Sequence, residues 1–183
     1  MRTLWRRMWG AALLDADTYE EVEADPRSLG QAVLVVGAAA LAIGAAHWIR
    51  ATGTELHPDR VALQVTVSVL EPLVLWIGGS AATLMVGATF FRGPETETDF
   101  AEVLRTTGFA FTPGLLQIFG ALPPPPLGLA IDFAVRAWVL VAVVIALRQA
   151  LDFTTLRAIG TFGTGAVLLY LILWGLIVAP LPL

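Results

Sequence analysis

Three charged residues stand inside long apolar stretches of this chain. Glu71, Asp132 and Arg136 have Val, Leu, Ile and Ala for most of their neighbours. A charge held at the centre of a bilayer costs about 2.5–3.5 kcal/mol on insertion scales, so it needs a partner or a task. Asp132 and Arg136 are four apart, which puts them on one face of a helix within pairing reach. Glu71 is followed by Pro72. Thr112 and Gln117 lie beside Pro113, whose ring removes a helical hydrogen bond and frees a carbonyl for a neighbour, a water or a ligand. Glu71, Asp132, Arg136 and Gln117 are therefore the expected polar intramembrane cluster. Two chemistries fit it. One is an ion or proton site, or a polar cavity open to the outside. The other is a buried ion pair that fixes helix register.

Other candidates are weaker. His47, Glu55, His57 and Asp59 carry metal-ligand chemistry, but their order matches no recognised metal spacing. A solvated loop is expected there, and no metal or cofactor. No HExxH, phosphate-binding glycine loop or nucleophile with a histidine partner is present. The expectation is a non-enzyme. No basic and aromatic stripe suits nucleic acid.

The elements that must position these groups follow from composition. The chain has 183 residues, 57% hydrophobic and 14% charged. A soluble domain carries roughly 45–50% apolar and 25% charged residues. The excess fits an all-α, polytopic integral membrane helix bundle in the cell membrane. Its length accommodates about five spans of roughly 20 residues. Expected spans cover about 29–49, 61–91, 104–122, 127–147 and 156–179, so residues 28–183 form the transmembrane domain. The alternating segment 61–70 resembles a strand, but open strand edges cannot sit in lipid. It is read as the outer turns of the second helix, kinked at Pro72. Gly30, Gly37 and Gly44 recur every seven residues, and Gly79, Thr83 and Gly87 every four. Such stripes let helices approach closely. Pro123–Pro126 is a turn. Asp152, Thr154 or Thr155 is expected to cap the last helix.

Residues 1–27 form the expected cytoplasmic segment. Residues 1–14 predict an amphipathic helix, with Leu4, Trp5, Met8 and Trp9 on one side and arginines on another, at the headgroups. Residues 15–27 are acidic and predict a linker or short surface helix. No secretory signal is expected, because the apolar run breaks at Asp15.

Every basic residue is arginine, and there is no cysteine. With five spans and the N-terminus inside, Arg2, Arg6, Arg7, Arg27, Arg92, Arg105, Arg148 and Arg157 face the cytoplasm. Only Arg50 and Arg60 face outward. A rival with a re-entrant segment at Pro113 has four spans and moves Arg148 and Arg157 outside. The positive-inside bias favours five, with an extracytoplasmic C-terminus.

Two segments carry a family resemblance. The first is FAEVLRTTGFAFTPGLL, Phe100–Leu116, a polar start followed by Gly-aromatic-Ala and then Pro. The second is WVLVAVVIALRQALDFTTLRA, Trp138–Ala158, a Trp, an apolar run, then Arg and a polar turn. Together with an acidic, Pro-containing lead-in, their order over about residues 15–175 resembles the Yip domain family, named for members that interact with Ypt/Rab GTPases. The resemblance implies five spans, a cytoplasmic N-terminus and a role in membrane organisation, shaping or partner recruitment. Its implied partners are the lipid bilayer, a second copy or another membrane protein. The charged cluster alone points to an alternative: a small ion, proton or solute transporter or channel.

Overall fold

The computed structural model describes residues 2–52, 57–90 and 99–178. Glu55, Phe91, Arg92 and the end of the fifth expected span lie outside them. The elements are α1 (Arg2–Ala12), α2 (Ala16–Ala24), α3 (Ser28–Ala51), α4 (Pro58–Phe90), α5 (Phe100–Phe109), a 3-10 segment (Thr112–Ala121), α6 (Pro125–Ala150) and α7 (Thr155–Val178). No strand occurs among the described residues. The alternating stretch 61–70 is helical, because a helix satisfies its own backbone in lipid and a lone strand does not.

Among the described residues, four helices are long and apolar enough to cross a membrane: α3, α4, α6 and α7. Their outward faces keep large apolar side chains exposed, among them Leu34, Leu41, Leu70, Phe133, Val167 and Leu171. Apolar surface on all sides of a bundle is a lipid-facing surface. At about 1.5 Å per residue, the 33 residues of α4 extend about 50 Å. That exceeds the roughly 30 Å hydrocarbon core, so α4 tilts or protrudes.

The expected third span, 104–122, is not one regular helix. Asp99 starts α5 with a capping box: its side chain accepts from Glu102 N at 2.8 Å, and Glu102 Oε2 accepts from Asp99 N at 3.0 Å. The α-helix ends at Phe109, and the backbone tightens into ten residues of 3-10 helix beginning at Thr112–Pro113. Such a run is long for this conformation. Its backbone is sheltered by protein: Pro113, Gly114, Gln117 and Gly120 are all buried. Backbone that departs from the α-helix is tolerated in lipid only in such shelter.

The same segment runs beside α3 in the same direction. Gly108 lies against Ala32 and Gly114 against Ala39. The 3-10 segment ends where Gly120 meets Gly128 and Asp132, and Asp132 pairs with Arg50 at the far end of α3. Neither Gly120 nor Gly128 has room for a Cβ: at Gly128 it would meet Gly120 O, and at Gly120 it would meet Asp132 Oδ1. At the near end, Arg105 Nε donates to Glu23 O at 2.6 Å, and Gln149 Nε2 to Glu20 Oε1 at 2.8 Å. The start of α5 and the α6–α7 turn therefore share the end of the bundle that carries α2.

The packing of α3 corrects one expectation. The helix is held inside the bundle, against α4, α5 and the 3-10 segment. It packs through Ala32, Val35, Val36, Ala39 and Ala40. Of the seven-residue glycine stripe only Gly44 is in contact, with Val69, whereas a Cβ at Gly30 or Gly37 would meet nothing. Alanine is small enough for this approach, so the closer fit of glycine is not used. The second stripe is used in part: Thr83 lies against Gly165 and Gly87 against Leu151, while Gly79 faces open space.

Residues 2–24 belong to the same core. Met8, Ala11, Tyr19 and Val22 are buried in one cluster with Ala32, Val36, Trp76, Phe109 and Ala142. At the α6–α7 turn, Asp152 takes φ 50°, and Phe153 N reaches back to Arg148 O at 2.9 Å. A short polar side chain tolerates that left-handed conformation. Asp152 closes α6 there, and Ala158 N bonds to Thr154 O at 3.0 Å in the first turn of α7.

Candidate functional site

A chamber of about 480 Å³ lies between α4, α6 and α7. It exists because of how those helices pair. α4 packs on α3 and α7, and α6 packs on the 3-10 segment, α5 and α7, which leaves a gap between α4 and α6. The walls are α4 from Glu71 to Thr83, α6 from Arg136 to Leu147 and α7 from Phe162 to Leu173. At about 1.5 Å per residue those stretches are about 16–18 Å long. Thr107, Gly114 and Gln117 form the back. Leu140 and Tyr170 line the chamber and remain exposed, so it communicates with the lipid-facing surface.

The wall shared by α4 and α5 is tied by hydrogen bonds. Trp76 Nε1 donates to Leu104 O at 2.9 Å, and Ser80 Oγ and Thr107 Oγ1 are 2.9 Å apart. With little hydrophobic drive between helices in lipid, such bonds and close packing hold the walls. Gly108 permits the approach: a Cβ there would stand 2.6 Å from Ala32 Cβ and 3.2 Å from Trp76 Nε1.

The structure brings three of the four expected polar residues together. Glu71, Arg136 and Gln117 all line this chamber, and Gln117 is buried. The fourth is elsewhere. Asp132 Oδ2 bonds Arg50 Nη2 at 2.5 Å, and its Oδ1 is buried without a partner. The expected Asp132–Arg136 pair is thus replaced by a pair between α6 and α3. Arg50 ends α3 at the same level as Asp132, and only the folded arrangement brings it there. Among the described residues, neither Glu71 nor Arg136 has an ion pair or side-chain hydrogen bond. His57 and Asp59 are exposed and 3.3 Å apart, while His47 Nδ1 lies 3.0 Å from Ile43 O in its own helix.

A second polar assembly lies at the α2 end. Arg7 is 5% exposed and donates to Glu21 at 3.0 Å, Asp25 at 2.8 Å and Gln31 at 3.1 Å. Arg6 reaches the same Glu21 carboxylate at 2.6 Å. Burial works against the Arg7 charge, but the bonds to Asp25 and Glu21 outweigh it and raise its pKa. Arg6 holds the Glu21 carboxyl below its ordinary pKa, and Arg7 does the same for Asp25. Tyr19 is fully buried and donates to Ala11 O at 3.1 Å. Ser28 Oγ donates to Val22 O at 2.8 Å. These bonds clamp α1 and α2 to the start of α3. Sequence reasoning placed the arginines of α1 on its polar face and missed that Arg7 turns inward. The available signal was the acidic run at 20–25 with Gln31 beyond it.

The clamp leaves one face of α1 uncovered. Trp5, Trp9 and Leu13 remain exposed, while Leu4 and Met8 pack on the core. Trp138 Nε1 donates to Ala12 O at 2.8 Å and holds the end of α1 against α6. Beside this clamp, burial pushes the Glu23 carboxyl up to about 7, with Asp152 and Glu102 adding repulsion and Arg105 opposing them.

The segments that carried the family resemblance supply much of this architecture. Phe100–Leu116 provides Glu102 of the capping box, the Trp76 acceptor, the Arg105 link to α2 and the Gly108 contact. Trp138–Ala158 provides the α1 anchor, a chamber wall and the α6–α7 turn. In comparisons with known proteins, the sequence matches the family model described as Yip1 domain over residues 11–177. No curated protein and no solved structure matches it.

Proposed function

The chain belongs to the Yip1 domain family, and from that premise we propose that it is a non-enzymatic protein of the cell membrane that organises or shapes its bilayer and recruits partners there. The observation that carries this reading is α1: a helix locked to the bundle by buried Arg7, with Trp5 and Trp9 exposed along one side and Leu13 exposed just past its end. A rigidly held apolar face beside the headgroups inserts into one leaflet and spreads it. The reading includes five crossings, with α1 and α2 in the cytoplasm. The course of α5 and the 3-10 segment alongside α3 supports it. So does the grouping of Arg7, Arg105 and Arg148 near α2, with Arg50 at the opposite end.

The test is reconstitution into vesicles, measuring diameter by cryo-microscopy and self-association by crosslinking, with crosslinking in native membranes for partners. The expected result is smaller vesicles at rising protein density, reversed in Trp5→Ser/Trp9→Ser protein that keeps its melting temperature. Unchanged vesicles, no self-association and no partner would sink the reading. A transport reading rests on Glu71, Gln117 and Arg136 lining one chamber. Its test is solute or ion flux into proteoliposomes, abolished in Glu71→Gln protein.

A further inference from the structure

We propose that the chamber between α4, α6 and α7 is a binding site for one zwitterionic phospholipid bearing a primary amine, such as a phosphatidylethanolamine. The inference does not depend on the organising role assigned to α1.

Shape supplies the first argument. The chamber holds about 480 Å³, inside the range of roughly 300–1,000 Å³ that small-molecule sites occupy; it has room for one acyl chain and opens beside Leu140 and Tyr170, where the second chain stays in the surrounding lipid. Its walls run about 16–18 Å along the helices, close to half of a hydrocarbon core of about 30 Å. Its length is therefore that of one leaflet's acyl chains. Below the charged end its lining is almost wholly apolar, with Leu75, Val143, Leu147, Phe162 and Leu169. A hydrated ion or sugar gains nothing from such walls, whereas an acyl chain does.

Charge supplies the second. Glu71, Arg136 and Gln117 are set at the end of the chamber remote from α2, where α4 and α6 are nearest Arg50 and Asp132. Glu71 and Arg136 make no ion pair with each other. Both charges are costly in this setting unless an occupant compensates them. A guanidinium matches a phosphate, and a carboxylate matches an ammonium. The pair is neutral overall, so it favours a zwitterion over an anionic lipid, which Glu71 repels. The amine needs N–H donors to hydrogen-bond Glu71, which selects ethanolamine over choline.

The experiment is native mass spectrometry of the full chain released from nanodiscs containing phosphatidylethanolamine, phosphatidylcholine or phosphatidylglycerol. One ethanolamine lipid is expected to remain bound, retained about tenfold better than the other two. Arg136→Gln lowers retention of all three. Glu71→Gln removes the preference over phosphatidylglycerol and leaves total retention largely intact. Gly79 lines the chamber with nothing within 4 Å of an added Cβ, so Gly79→Leu fills the space and expels the lipid at an unchanged melting temperature. If Gly79→Leu unfolds the protein, the two charge variants decide. Absence of a retained lipid overturns the proposal. So does retention insensitive to Gly79→Leu in folded protein, or a headgroup preference untouched by both charge variants. Vesicle shaping that persists in lipid-free variants leaves the α1 reading standing, which separates the two.

Discussion

Replacing Arg7 by methionine isolates the force that holds α1 and α2 on the bundle. Methionine keeps most of the buried stem and removes the guanidinium, with its bonds to Glu21, Asp25 and Gln31. Breaking a buried pair by removing one partner costs about 3–5 kcal/mol. Here Glu21 and Asp25 keep 34% and 32% of their side-chain surface in water, and Glu21 retains Arg6. Solvent and Arg6 therefore take up part of the loss, and about 2–3 kcal/mol is expected. The loss falls on docking of the clamp, because the side-chain bonds of Arg7 go to Glu21, Asp25 and Gln31, in α2, just after it and at the start of α3. Hydrogen exchange in nanodiscs reads it directly. Amides of residues 8–24 should exchange about 30-fold to 150-fold faster, while those of α4 and α7 hold their rates. Arg7→Lys should recover only part, since an ammonium lacks the fork that spans separated acceptors. Acid carries a second signature. The Glu21 and Asp25 carboxyls are held low by Arg6 and Arg7, so their contribution is present above the ordinary carboxylate range and disappears as pH falls through the lowered pKa values. That acid-sensitive component should shrink in Arg7→Met. Exchange in 8–24 changed less than threefold, or accelerated equally in every helix, refutes the reasoning.

Three further outcomes are expected. Glu23 has its folded pKa raised to about 7, so the cost of its charge is absent below the unfolded pKa and grows as pH rises to about 7. Glu23→Gln should raise stability by about 1–2 kcal/mol at pH 8, allowing for solvent screening, and by almost nothing at pH 4; equal melting shifts at both pH values refute this. Gly108→Ala forces a Cβ against Ala32 and the Trp76 ring and should cost about 1–3 kcal/mol, read as a lower melting temperature with altered Trp76 emission. A chain without cysteine reports topology cleanly. Asp59→Cys should react with an impermeant maleimide in intact cells and Asp17→Cys only after lysis, and a reporter after Leu183 should read outside, a cytoplasmic readout counting against five crossings.

The sequence by itself determined the solvent, the helical class and the family. Long apolar runs broken by arginine and proline admit only helices in lipid, and periodicity along one segment is a local property. It also marked Glu71, Gln117 and Arg136, because a charge or amide among apolar neighbours is conspicuous without coordinates. Tertiary structure decided the partners. Asp132 is closer in sequence to Arg136, yet it pairs with Arg50, because the 3-10 segment brings the start of α6 to the far end of α3. Arg7 looked like one more solvated arginine until α2 folded back to surround it with carboxylates. The glycines at 30 and 37 looked like a contact stripe, but the alanine face won the packing. The charged groups of the apolar stretches are thus divided: Asp132 links α6 to α3, and Glu71 and Arg136 line a chamber. Local pattern states what a residue can do; only the packing of distant segments sets what it meets, since the energy of an ion pair or a close contact depends on distances that no single helix contains.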